Sequence, residues 1–260
     1  MYFYIAKKTF LHRLDPRTKF FLLLFGLFSA LIFNAPHYQI PALLLVLILI
    51  LIAGGLQSIY AMRYILLLLF LFSFILWSLF IKEGKILFKL GTIRVTEKSL
   101  LYGTGMGLRL NLMVLAGLLF LTITMVEEFC LALVKLGIPY PISFASSLAF
   151  RLVPIFLNVG STVLQAQVLR GLDLKSGNIF DRLRKHLPLI IPIFISIIKG
   201  VNNLSLALEA KGFGIKRQRS YYLKIGYRFF DYMIIVLLCI LSLLLLFLRI
   251  KGYGIVLNRL

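Results

Sequence analysis

The sequence predicts an all-α integral membrane protein: about five transmembrane helices and a basic platform of long helices. Three observations carry this. Of the 260 residues 61% are hydrophobic, and mean hydropathy is +0.98, where soluble domains are roughly half apolar. The apolar residues gather in runs long enough, or nearly so, to cross a bilayer core of about 30 Å. Finally, 29 Lys+Arg stand against 9 Asp+Glu, a net charge of +20, and the charge lies between the apolar runs. Charge placed that way suits membrane orientation and anionic lipid headgroups. Membrane lipid is therefore an expected partner and nucleic acid is not.

Residues 1–19 are basic, with Lys7, Lys8, Arg13, Arg17 and Lys19. Asp15-Pro16 is a good helix start, because Asp caps unpaired amides and Pro fits the first helical position. The helix is apolar from Phe20 to Phe33. Counted from Pro16 it is long enough to span, with Arg17 and Lys19 snorkelling to the interface. No cleavable signal peptide is expected, since the first apolar run starts only at Phe20 and no small-x-small site follows it. Asn34-Ala35-Pro36-His37 makes a turn, with His37 solvated.

A second run, Ile40 to Ala53, stops at Gly54-Gly55. A third runs from Tyr64 to Ile81, with Trp77 and Phe80 suited to a membrane interface. Residues 82–101 are polar and fit either a small hairpin or a helix at the membrane edge. The fourth run, Gly105 to Val126, follows Gly103. The Gly103/Gly107 spacing favours close helix packing. Arg109 and Asn111 fall early in this run. Snorkelling from its first turn accounts for Arg109, with contact to a substrate as the alternative.

From Glu127 the character changes. Residues 127–230 hold 14 basic and 5 acidic residues. Helical patterns continue over 129–136, 143–169 and 187–208, punctuated by prolines at 139, 141, 154, 188 and 192. Helices with one apolar and one polar face suit a surface or protein-contact platform better than a lipid-crossing bundle. Tyr232 to Leu248 is a last span. The expected organisation is therefore 1–126, N-terminal transmembrane helices; 127–230, a helical platform; and 231–260, a C-terminal transmembrane helix. Four spans before residue 127 put residues 1–19, 54–63 and 127–230 on one side with 20 basic residues, against 8 on the other. The side richer in Lys and Arg is the cytoplasm, so the plasma-membrane protein is expected to keep its N-terminus and residues 127–230 inside.

Catalytic patterns are missing. There is no GxxxxGK[ST], HExxH or GxSxG motif. Glu127-Glu128 is an ordinary interfacial pair. His12, His37 and His186 have no metal-ligand spacing, and Cys130 and Cys239 lack a CxxC partner. No catalytic residue, cofactor or metal is expected of this chain. What stands out is a repeated pattern 41 residues apart: Val168-Leu169-Arg170-Gly171-Leu172 and Glu209-Ala210-Lys211-Gly212-Phe213. In each a cation precedes Gly at the end of a helical run. Gly stops helices in the left-handed conformation, and a cation suits the negative end of the helix dipole.

The nonapeptide Leu11-His12-Arg13-Leu14-Asp15-Pro16-Arg17-Thr18-Lys19, four early spans and two such triplets together resemble one family. It is the transmembrane T component of energy-coupling factor transporters, the CbiQ/EcfT family. The resemblance implies that Leu169-Arg170-Gly171 and Ala210-Lys211-Gly212 end coupling helices docked in grooves of two cytoplasmic P-loop ATPases, identical or different. It implies a small membrane S component as the third partner, and uptake of a vitamin or transition-metal ion. It also implies a non-catalytic subunit, with ATP bound by the partners. Both triplets depart from the family's Ala-Arg-Gly. Leu169 is bulkier than Ala, and Lys211 lacks the bidentate fork of Arg. The competing reading is a secondary transporter with its own substrate site, which would show buried charge at mid-membrane and an inverted repeat. A lipid-modifying membrane enzyme would need clustered acids or histidines.

Overall fold

The computed structural model describes residues 7, 9–81, 85–90, 93–172, 179–214 and 226–254. They form two compact units, one of residues 1–132 with 225–260 and the other of residues 133–224. Lys8, Arg259 and the polar residues 82–84 lie outside the described residues.

In the first unit a short 3-10 turn, Phe10–Arg13, leads into α1 (Pro16–Ile32). Asp15 caps α1 as its sequence predicts: its Oδ1 accepts the Arg17 N–H at 3.0 Å, and Pro16 takes the first helical position. Helix α2 (Pro36–Ala53) stops at Gly54, whose φ of 79° needs no Cβ to be accommodated. Buried Gln39 donates to the carbonyls of Ala30 and Phe33 at 3.0 and 2.6 Å, satisfying the unpaired end of α1. Helix α3 (Leu56–Phe80) follows. The polar stretch after it forms the hairpin of the two alternatives, with β1 (Ile86–Leu90) antiparallel to β2 (Ile93–Thr96).

Helix α4 (Glu97–Ile123) opens with a capping box: the Thr96 side chain accepts the Ser99 N–H, and the Ser99 hydroxyl accepts the Thr96 N–H. It is the centre of this unit and packs on α1, α2 and α3. Small residues allow this. Gly103 and Gly107 lie against Phe74 and Phe70 of α3, as their spacing predicts, and Ala116 meets Gly26 of α1. Gly105 lies against the backbone of Asn34, in the turn between α1 and α2. The buried core runs through Ala30, Ile50, Ala53, Leu112, Leu115, Leu119 and Ile123. Helix α5 (Val126–Lys135) starts after a two-residue break. Helix α8 (Phe229–Ile250) returns along α1. Beyond its end the Gly254 carbonyl accepts the N–H groups of Asn34 and Ala35 at 3.1 and 3.2 Å.

The second unit is a pair of long helices, α6 (Tyr140–Leu169) and α7 (Ile179–Ala210). They run antiparallel. The Phe213 ring, just past α7, lies 4.5 Å from that of Phe144 near the start of α6, while Gly160 faces Ile193 midway. Hardly any of their surface is buried; Ser143 and Leu189 are the described exceptions.

Among the described residues six helical stretches are long and apolar enough to cross a membrane: α2, α3, α4, α6, Leu187–Ala210 of α7, and α8. Helix α1, at 17 residues, is slightly shorter than the shortest of these. The chain is an all-α, multi-pass membrane protein. Two expectations need correcting. Lys19 does not snorkel: it is 1% exposed, and its Nζ donates to the Ile123 carbonyl at 2.9 Å and to Glu128 Oε2 at 3.2 Å. Arg109 is not in the first turn of its helix. Helix α4 begins at Glu97, not Gly105, so Arg109 sits about 18 Å along it. There its Nη1 lies 3.7 Å from Met106 Sδ, and no carboxylate among the described residues pairs with it.

Candidate coupling site

The two repeated motifs prove to be the same piece of backbone geometry. At the end of α6, Arg170 occupies the cap position (φ −83°, ψ 8°) and Gly171 follows with φ 89°. The Gly171 N–H donates to the Val168 carbonyl and the Leu172 N–H to the Gln167 carbonyl, both at 3.0 Å. At the end of α7, Gly212 has φ 74°. The Gly212 N–H donates to Glu209 at 2.8 Å and the Phe213 N–H to Leu208 at 2.9 Å. Each is a Schellman turn, which ties off the last carbonyls and leaves the cation at the rim of the helix end.

That geometry alone does not make a site, because α8 carries a third copy. Lys251-Gly252-Tyr253-Gly254 repeats Lys211-Gly212-Phe213-Gly214 in sequence and bonding. Gly252 has φ 84°, its N–H meets the Arg249 carbonyl, and Tyr253 N–H meets that of Leu248. Comparing the tripeptides would have revealed this copy in the sequence. The difference lies in what surrounds it. The α8 copy is docked on its own chain: Phe33 packs against Gly254, and the Gly254 carbonyl is taken by the α1–α2 turn. Nothing described lies within 4 Å of the corresponding point on Gly214, nor of Gly171.

The two ends in the second unit are presented outward. Leu169 is 88% exposed, and Val168, Arg170, Ala210 and Lys211 are exposed. Among the described residues neither Arg170 nor Lys211 is in an ion pair. The ends differ chemically. The first offers a bare Leu beside Arg; the second offers Ala beside Lys, with Phe213 turned into a cluster with Tyr140 and Phe144. The antiparallel pairing keeps the six predicted residues, Leu169, Arg170, Gly171, Ala210, Lys211 and Gly212, in two groups. One group sits at each end of the pair, about 40 Å apart by helix rise.

Among the described residues no three His, Cys, Asp or Glu side chains cluster as metal ligands. Burial, and then the charge of Glu127, push the Cys130 thiol up, which makes it a poor nucleophile.

Residues 7–222, spanning the nonapeptide and both helix ends, match the CbiQ family profile, described as cobalt transport protein. The chain belongs to the CbiQ/EcfT family. Its relatives include energy-coupling factor transporter transmembrane proteins EcfT. That of Bacillus subtilis is 32% identical over 262 residues, covering 95% of this chain and 96% of the relative. That of Brevibacillus brevis is 33% identical over 232 residues, covering 83% and 86%. That of Listeria innocua is 30% identical, covering 95% and 96%. As a CbiQ/EcfT-family protein the chain is a transmembrane transporter component. The match runs through α6 and α7, so the exposed helix pair belongs to the family's shared body.

Sequence reasoning overlooked the pairing of three polar residues, of which Asp231 and Gln39 are buried. Glu128 was read as an ordinary interfacial acid, yet it is the partner of Lys19. Asp231 and Gln39 give no local signal, because their partners are fixed only by packing.

Proposed function

We propose that this chain is the coupling subunit of an ATP-driven importer. The ends of α6 and α7 dock in grooves of two cytoplasmic P-loop ATPases, and the chain passes their movement to a small membrane S component for uptake of a vitamin or transition-metal ion. The subunit itself performs no chemistry. The observation that carries this reading is the pair of exposed cationic helix ends, in no ion pair among the described residues, held about 40 Å apart by one antiparallel pair. Apolar area around Leu169 and Ala210 supplies contact, and the charge supplies register against acidic grooves. ATPase closure then moves the two anchors as rigid bodies.

The N-terminus and the platform, residues 127–230, are assigned to the cytoplasm, with membrane segments on either side. The Lys and Arg excess supports this. So does the middle of α7, where Lys199, Asn202 and Asn203 are exposed together. An unpaired lysine at the centre of a lipid-facing helix is costly, whereas at a membrane surface it is not. The secondary-transporter reading is less well supported. An apolar cavity of about 530 Å³ between α1, α2 and α8 has no charged residue in its wall, and such a wall does not suit a hydrophilic solute.

Co-purification of the tagged chain with its ATPases tests the proposal. Arg170→Ala and Lys211→Ala are each expected to weaken retention at least about tenfold, since each leaves a groove acid unpaired. Lys251→Ala, in the copy packed on its own chain, is expected to change nothing. A double Arg170→Ala/Lys211→Ala chain that retained both ATPases at wild-type yield would refute docking through these ends.

A further inference from the structure

We propose that Asp15–Lys19 is the fixed mount of the coupling unit. It grips both stretches of the first unit from which residues 133–224 depart. Movement made in the second unit is therefore delivered to the membrane helices rather than lost in a loose joint. This inference rests on the coupling reading above.

The outgoing stretch is the break between α4 and α5, where Thr124 is extended (φ −119°, ψ 124°). Left alone, two residues of irregular backbone would let α5 swing. Lys19 spans the break. Its Nζ holds the Ile123 carbonyl, the last of α4, and Glu128 Oε2, in the first turn of α5. Phe20 does the same with apolar contacts. Its ring lies 6.4 Å from Phe120 and 6.0 Å from Phe129, which are themselves 5.4 Å apart.

The returning stretch is the start of α8. Asp231 is 1% exposed. Its Oδ1 accepts the Asp15 N–H at 2.9 Å and its Oδ2 accepts the Arg228 N–H at 2.8 Å. The Arg17 guanidinium lies 4.9 Å over the Tyr227 ring, and Phe10 meets Phe230 edge-on at 5.8 Å. Asp15, Arg17 and Lys19, with Phe10 and Phe20 beside them, thus fasten both junctions.

Charge is a costly way to fill these positions. A buried ion pair contributes little more to stability than well-packed apolar side chains of the same volume, and often less. What it adds is direction. An apolar contact permits sliding, as packed helices do in shear motions, whereas a charged hydrogen bond fixes angle and distance. A junction that must carry force calls for the second kind.

The test uses the chain assembled with its ATPases in lipid vesicles, with Cys130 and Cys239 replaced by Ser. Spin labels at positions 21 and 127, both exposed, report α1 against α5; labels at 21 and 168 report α1 against the end of α6. Distances are compared without nucleotide and with ATP and vanadate. The expected result is a shift of the 21–168 distance with an unchanged 21–127 distance. Glu128→Ala and Lys19→Met are expected to make the 21–127 distance shift with nucleotide by several ångströms, at unchanged ATP hydrolysis, and Lys19→Arg to restore it. Glu128 is partly exposed, so its variant reads out even if Lys19→Met fails to fold. If ATPases are retained and the wild-type 21–127 distance already follows nucleotide, the mount is refuted and the coupling reading stands. If Glu128→Ala and Lys19→Met leave it unmoved, the mount is likewise refuted. If no ATPase is retained, the coupling reading fails, and the mount with it.

Discussion

Replacing Gly105 by Ala is the sharpest test of how the membrane unit is packed. A Cβ at Gly105 would run into the Asn34 carbonyl. That atom is backbone, in a turn whose N–H groups are already held by Gly254, so it has little room to withdraw. Overpacking of this kind costs about 1–3 kcal/mol. Ala also favours the helix over Gly by about 1 kcal/mol, which partly hides the cost. Gly117, on the same helix with no described atom within 4 Å of where a Cβ would stand, supplies the correction. Gly117→Ala takes the same propensity gain without a collision. The difference between the variants is then the steric cost alone, about 1–3 kcal/mol. The assay is unfolding in detergent followed by a thiol-reactive dye on the Cys239→Ser chain, since Cys130 is buried and reacts once the fold opens. Equal stability of the Gly105→Ala and Gly117→Ala chains would refute the close approach of α4 to the α1–α2 turn.

Three other outcomes follow from the same geometry. Asp15→Ala removes the α1 cap and is expected to cost about 1 kcal/mol in the same unfolding assay; it keeps the backbone N–H that Asp231 accepts, so the response of the 21–127 label pair to nucleotide should not change. Gly171→Ala forces a Cβ into φ 89° and is expected to destabilise the α6 end by about 1–2 kcal/mol, whereas Gly171→Asn, which tolerates that region better, should cost less; amide exchange of the last turn of α6 would separate them. Because burial raises the Cys130 thiol, its labelling in the folded Cys239→Ser chain should accelerate only at higher pH than that of a peptide cysteine; a profile matching the peptide would contradict its burial.

The sequence by itself determined several helix starts and stops, though not the start of α4. Asp15-Pro16, Gly54, Gly171 and Gly212 act through local sterics and neighbouring amides, so their effect is readable without the fold. Apolar run length likewise announced a membrane protein, because the thickness of the bilayer is known in advance. Tertiary structure decided which charges are buried and what they hold. Lys19 was legible as a cation near an interface, but Glu128 lies 109 residues further on, and Asp15 finds Asp231 216 residues away. The depth of Arg109 depended on eight residues of α4 hidden in a polar stretch, where a hairpin and a capping box set the true start. The helix-end turns show the division most plainly. Three cation-Gly turns share one local structure. Whether a turn is packed on its own chain, as at Lys251, or stands exposed, as at Arg170 and Lys211, depends on which helix it ends and where that helix packs. Local sequence specifies the turn; only long-range packing specifies its surroundings.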